Sequence, residues 1–140
     1  MKISILILLG FLTTQVFAQR NPQIRVCLQN GGNFWSMDIT SPRVDTIGFC
    51  RYDQSLLGSI SMMNYFFYAN ETQAVRGFLS SETSISSCST LGAMTVDAMD
   101  STGMDWELCL FRDGSFIEKE TLLRGLHSPI NRRLREALTL

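Results

Sequence analysis

Four cysteines are the residues with the clearest chemistry in this sequence: Cys27, Cys50, Cys88 and Cys109. In an oxidising compartment an even number of cysteines indicates disulfide bonds, and four cysteines can pair in three ways. None of the spacings is Cys-x-x-Cys, and the single histidine, His127, cannot complete a zinc site with thiols so far apart. The cysteines therefore predict two disulfides and no metal centre.

The sequence offers no clear set of catalytic residues. A serine hydrolase needs a base beside its nucleophile, and His127 stands before Ser128-Pro129, where a surface loop is the simpler interpretation. A pair of carboxylates could hydrolyse a glycosidic bond. Acidic residues form two clusters in the second half of the chain: Asp97, Asp100, Asp105 and Glu107, then Glu118 and Glu120. Turns and solvent-facing positions on a strand or helix explain both clusters more simply, so we expect no enzyme and no cofactor.

Residues 1–18 predict that the protein is exported. Lys2 gives a short positive region, residues 3–12 form an apolar run, and Val16-Phe17-Ala18 resembles a signal peptidase site. The apolar run is about half of the roughly 20 residues that span a bilayer, so a membrane anchor is the weaker interpretation. We expect a soluble mature chain in the periplasm or the extracellular space.

Composition limits the partners of the mature chain. The 140 residues include 12 Lys and Arg and 13 Asp and Glu, which excludes the strong basic surplus of a nucleic-acid-binding protein. With 45% hydrophobic residues the chain should fold. We expect a protein or another envelope component as partner, no nucleic acid and no stable insertion into a membrane.

The elements that must position these residues belong to an internal repeat with two copies in the chain. When Cys88 is aligned with Cys27 and Cys109 with Cys50, residues of similar character coincide over about forty positions. Examples are Gly31 with Gly92, Trp35 with Val96, Ile47 with Trp106, Phe49 with Leu108, and Asp53 with Asp113. The sequence therefore predicts a first repeat unit over 19–68, a connector over 69–82, a second unit over 83–126 and a C-terminal helix over 127–140.

Each unit is predicted to contain a helix, a two-stranded hairpin and a closing helix. In the first unit Asn21-Pro22 starts a helix that carries Cys27. Alternating apolar residues predict strands within Phe34–Ile39 and Thr46–Tyr52, and an apolar stripe predicts a helix within Leu56–Tyr68. The expected fold class is α+β, with two small disulfide-stapled helix–hairpin–helix units in tandem plus a C-terminal helix.

The repeat selects one of the three disulfide pairings. Each unit has one cysteine on its first helix and one on its second strand, so Cys27–Cys50 and Cys88–Cys109 would join helix to hairpin inside each unit. Closing loops of this length should contribute about 3 kcal/mol each in the chain-entropy model.

The motifs of both units resemble a small bacterial envelope domain, domain of unknown function 333, which carries a haemolysin label. The resemblance rests on Asn21-Pro22, Gly31-Gly32, Gly48-Phe49-Cys50 and Asp53-Gln54-Ser55 in the first unit, and on Cys88, Gly92, Cys109 to Ser115, Glu118 and Leu122 to Gly125 in the second. It implies export and disulfides, and it implies no catalytic residue.

Three features are candidates for recognition. Trp35 and Trp106 could stack on a ligand, although their alternation on strands favours a core role. The segment Met62–Tyr68 could pack between the units, which we favour, or form an interaction surface or a membrane-active helix. Asn70 begins a glycosylation sequon.

The sequence favours an exported, non-catalytic binding protein that presents loops such as Ser41–Asp45 and Asp100–Gly103 to a partner. A membrane-active, haemolysin-like protein and a secreted inhibitor of a hydrolase are the alternatives. We predict no catalytic, cofactor-binding or metal-ligating residue.

Cleavage of the predicted signal peptide should leave a mature protein that begins near Gln19, because no cysteine follows the Val16-Phe17-Ala18 site to anchor a lipid. N-terminal sequencing of exported material tests this. Material that still begins at Met1 would contradict it.

Overall fold

The computed structural model describes residues 21–41, 44–82 and 85–139. Over these ranges six antiparallel strands form a closed barrel, accompanied by five α-helices and two short 3-10 turns. The predicted signal peptide, 1–18, lies outside the described residues.

The two halves of the chain contribute three strands each. The first half contains α1 (Pro22–Gln29), β1 (Asn33–Ser41), β2 (Asp45–Tyr52), β3 (Ser55–Gly58) and α2 (Ser59–Tyr68), and is followed by α3 (Gln73–Ser80). The second half contains a 3-10 turn (Cys88–Leu91), β4 (Met94–Asp100), β5 (Asp105–Leu110), β6 (Phe116–Glu118) and α4 (Lys119–Arg124). A 3-10 turn (Pro129–Asn131) then leads into α5 (Arg132–Thr139).

The prediction of separate helix–hairpin–helix units is wrong. Each half has a third strand, β3 or β6, at the start of the segment predicted to close the unit. β3 pairs with β6 at Leu57 and Ile117, and β1 pairs with β4, so the strands close in the order β1-β2-β3-β6-β5-β4. β3 is buried on both faces and only four residues long, so it shows no alternating pattern that periodicity could detect.

The predicted connector, 69–82, contains helix α3. Thr72 caps this helix by accepting a hydrogen bond from the Val75 backbone N–H at 3.4 Å. Gly77 lets the helix approach Phe111, because a Cβ at this position would lie 3.1 Å from the Phe111 ring. This helix was not predicted because the sequence around it is polar, although its apolar face carries the buried Phe78.

Apolar side chains form two layers. The inner layer fills the barrel and contains Met37, Phe49, Leu56, Val96, Ala98 and Leu108. The outer layer lies between the barrel and the helices and includes Val26, Leu57, Met62, Val75, Phe78, Ile117, Leu122, Leu134 and Leu138. Because β3 and β6 carry side chains in both layers, the closing strands are held from the inside and the outside.

Both disulfides lie in the outer layer. Cys27–Cys50 joins α1 to β2, and Cys88–Cys109 joins the first 3-10 turn to β5. These are the pairs that the repeat predicts, at equivalent places in the two halves. Each bond ties the helical layer to a barrel strand.

The segment Met62–Tyr68 lies in α2, which packs against α1. Met62 is fully buried, and the Tyr65 hydroxyl donates a hydrogen bond to the Leu138 carbonyl of α5 at 2.6 Å. Phe67 is half-buried under the guanidinium of Arg25, and Tyr68 is exposed. One side of the segment therefore packs in the outer layer, and the other side faces solvent.

Among the described residues, no helix combines the length and the apolar character needed to cross a bilayer.

Truncation of Ile117 should destabilise the β3–β6 contact that closes the barrel. The side chain is fully buried at the β3–β6 pair, so Ile117→Ala should lower the free energy of unfolding by about 2–5 kcal/mol, measured by urea denaturation. Ile60→Ala is the control, because Ile60 is 60% exposed and its truncation should change stability by less than about 0.5 kcal/mol. Equal effects of the two variants would contradict the central role of the β3–β6 contact.

Candidate binding site at one end of the barrel

Two tryptophans meet at the end of the barrel where β1 begins, β2 ends and β4 turns into β5. Trp35 and Trp106 lie 71 positions apart in the sequence (106 − 35), but their ring centroids are 6.3 Å apart at an interplanar angle of 83°. Both are half-buried and pack on the inner layer. This edge-to-face contact is a favourable aromatic geometry. The two side chains therefore pack on the core, as predicted, and each also reaches the end of the barrel.

Asp100 fixes the orientation of Trp106. The indole N–H donates to Asp100 Oδ2 at 2.9 Å, and the Thr102 hydroxyl donates to Oδ1 at 2.6 Å. Backbone N–H groups of Thr102 and Met104 also donate to Oδ1. The hydrogen bond from the Thr102 side chain, followed by that from Trp106, lowers the pKa of Asp100 from 3.8 to about 2. Asp100 is buried, so its predicted exposure is wrong, whereas the turn predicted after it is present.

Apart from Asp100, the members of the two acidic clusters line one groove of about 550 Å³ beside Trp106. We call this the acidic groove; it is lined by Thr40, Asp97, Asp105, Trp106, Glu107, Glu118, Lys119 and Glu120. Its five carboxylates face a single lysine, and the Lys119 ammonium lies 3.0 Å from Glu107 Oε2. Asp97, Asp105 and Glu107 are exposed, as the sequence predicts. The groove therefore combines an aromatic wall with an excess of negative charge.

Glu118 is the buried carboxylate of the acidic groove and caps α4. Its Oε1 accepts from the Glu120 backbone N–H at 2.8 Å, and its Oε2 accepts from the Thr121 backbone N–H and hydroxyl, each at 2.7 Å. Burial raises the pKa of Glu118, and these hydrogen bonds oppose the rise. The prediction that Glu118 lies on the wet side of a helix is wrong, because the side chain is buried and satisfies the first turn of α4.

A second cleft, of about 240 Å³, shares the Trp106 wall and is named here the arginine cleft. It is lined by Arg51, Gln54, Trp106, Glu118, Glu120, Thr121, Arg124 and Ile130. The guanidinium carbon of Arg51 lies 4.1 Å from the Trp35 ring centroid, and its Nε donates to the Asp53 carbonyl at 2.7 Å. Sequence reasoning missed Arg51, although it follows Ile47 and Phe49 at alternate positions of β2 and so shares their inward face.

The opposite end of the barrel has a cavity of about 320 Å³ between β2, α2 and the turn before β6. Some of its polar side chains form local hydrogen bonds: Thr72 donates to Ser61, Ser115 donates to Asp113, and Gln23 accepts from the neighbouring Ser59. Since these contacts use part of the polar lining, and the Trp106 end gathers five carboxylates, the Trp106 end is the stronger candidate site.

The remaining residues singled out in the sequence lie apart from the Trp106 end. His127 is exposed in a turn, as predicted, and Asn70 is exposed just after α2. Glycosylation of Asn70 stays a prediction. Within residues 21–41, 44–82 and 85–139, no three His, Cys, Asp or Glu side chains are grouped so as to hold a metal ion.

Comparison with family models, curated proteins and solved structures gives no match to this chain. The resemblance to domain of unknown function 333 stays a prediction.

The low pKa of Asp100 predicts a pH-dependent contribution to stability. A carboxylate whose folded pKa is about 2 rather than 3.8 stabilises the fold above its unfolded pKa and loses that contribution as the pH falls through the folded value. The stability difference between the wild type and Asp100→Ala, measured by urea unfolding, should therefore shrink as the pH falls from about 5 to about 2.

Asp105→Ala is the matched control, because the Asp105 carboxylate is exposed and makes no side-chain hydrogen bond within the described residues. A wild-type advantage over Asp100→Ala that is unchanged by pH would contradict the assignment of Asp100 as an ionised acceptor.

Proposed function

We propose that this protein is an exported, non-catalytic binding protein that holds a basic segment of a partner protein in the acidic groove. The observation that carries the proposal is the pairing of a tryptophan wall with five carboxylates and one lysine in a single concavity. The two disulfides fit an exported protein.

The charge of the groove favours a cationic partner. Glu107 and Glu120 pair with Lys119 and Arg124, but their side chains are 55% and 61% exposed, so both carboxylates stay accessible to a ligand beside these ion pairs. A concave surface lined by one sign of charge concentrates its field and attracts groups of the opposite sign. The Lys119 ammonium offsets one of these charges, which leaves the groove with a net negative charge that suits an incoming lysine or arginine.

Trp106 adds contact area to this charge. Lys and Arg side chains can lay their apolar stems on an indole ring while the charged head meets the ring face or a carboxylate. Because Asp100 holds the indole N–H, the ring is ordered before a ligand arrives. A preordered aromatic wall lowers the entropic cost of binding.

The same geometry favours binding over catalysis. The groove carboxylate with the raised pKa is Glu118, and both of its oxygens accept hydrogen bonds from α4. Asp100 is committed to its turn and to Trp106. The buried carboxylates of Asp100 and Glu118 therefore hold neighbouring groups in place, and the exposed carboxylates supply charge for a ligand.

A labelled, acetylated and amidated hexalysine peptide tests the groove, because it offers ammonium groups without a carboxylate. Its affinity, measured by fluorescence anisotropy, should fall about tenfold in the double variant Asp97→Asn with Glu107→Gln, since two charges near the ligand are lost. Raising the salt concentration should weaken wild-type binding.

The double variant Glu71→Gln with Glu136→Gln is the control, because it removes the same charge from exposed sites outside the groove lining. Equal loss of affinity in both double variants would indicate attraction to net charge alone and would defeat the proposed site.

A further inference from the structure

Arg51 is the one cation of the arginine cleft that has no ion-pair partner among the described residues. Arg124, the other cation, lies 3.5 Å from Glu120. The Glu118 carboxylate is taken by the N-terminus of α4. The nearby Asp53 carboxylate is bound by Arg133 at 2.8 Å and meets Arg51 only through its backbone carbonyl.

The guanidinium of Arg51 is also held in place. It stacks on Trp35, and its Nε is fixed by the Asp53 carbonyl. The two terminal nitrogens make no hydrogen bond within the described part of the chain. An arginine that is stacked on an aromatic ring and fixed at one nitrogen offers a preorganised fork for a planar anion.

We propose that Arg51 binds a carboxylate, namely the C-terminal carboxylate of the basic segment that occupies the acidic groove. This inference rests on the proposed function and extends it. A carboxylate suits the cleft better than a phosphate, because two arginines and two glutamates line it, and a dianion would be repelled by the glutamates.

The position of the cleft favours the end of a chain. It is less than half the size of the acidic groove, at about 240 against 550 Å³, and the two share Trp106, Glu118 and Glu120. A peptide could therefore lay its lysines along the groove and end against Arg51. The partner would be recognised by a basic C-terminal tail.

Three labelled, acetylated peptides test this inference by fluorescence anisotropy. The first has five lysines followed by alanine with a free C-terminal carboxylate, the second is its C-terminal amide, and the third is an amide in which glutamate replaces the alanine. The free carboxylate should bind the wild type about tenfold more tightly than the alanine amide, because it adds charge-assisted hydrogen bonds. The glutamate amide, which carries its carboxylate on a side chain, should bind no more tightly than the alanine amide.

Arg51→Gln should abolish the preference for the free carboxylate, measured as the ratio of the affinities of the free carboxylate and the alanine amide for the same variant. Arg51→Lys keeps the charge and should retain only part of the preference, because an ammonium cannot form two parallel hydrogen bonds with a carboxylate. Arg25→Gln is the matched control, since Arg25 also lies over an aromatic ring, Phe67, outside the cleft. If Arg51→Gln does not fold, the partial loss of preference in Arg51→Lys tests the inference.

Equal wild-type affinities for the free carboxylate and the alanine amide would overturn the role of Arg51 and leave the groove proposal standing. If no peptide binds, both proposals fail. Binding of the glutamate amide as tight as that of the free carboxylate would overturn the chain terminus as the source of the carboxylate. Loss of the preference in Arg25→Gln would also overturn the assignment to Arg51.

Discussion

The contact between β3 and β6 is the constraint on which the rest of the structure depends. These strands have four and three residues, and they close the barrel at the pair Leu57 and Ile117. α2 and α4 leave directly from their ends, so closure also places the helical layer. Without it, the six strands would form an open sheet with β3 and β6 as unpaired edges, and the enclosed inner layer on which Trp35 and Trp106 pack would be lost.

The disulfides stabilise the fold in the outer layer, between the barrel and the helices. Neither bond crosses between the halves, and each fixes a helix or turn to the outer face of a barrel strand. The two halves are therefore joined by strand pairing and apolar packing, whereas each half is internally joined by a covalent bond. For halves of this size a cross-link replaces core area that a small unit cannot bury.

The sequence predicted most of the elements but missed the short strands β3 and β6 and the helix α3. Alternation identified β1 and β2, and the repeat predicted a second hairpin, which is β4 and β5, as well as the cysteine pairs. β3 and β6 were missed because strands of three or four buried residues followed by a helix leave no period of two. The acidic residues at Asp97 and Glu120 could not be assigned to one groove, because barrel curvature and α4 bring them together over a long stretch of chain.

The two halves contribute strands in the same order, so the two ends of the barrel correspond in topology but not in chemistry. Under the alignment of the halves, Trp35, Arg51, Asp100 and Trp106 correspond to Val96, Leu110, Ile39 and Ile47. A barrel assembled from two identical chains would carry the same residues at both ends, since symmetry copies every substitution. Joining the halves in one chain removes that restriction. At these positions one end can then keep aliphatic side chains while the other acquires aromatic and charged ones, so duplication followed by fusion is a route from a symmetric scaffold to a barrel whose two ends differ in chemistry.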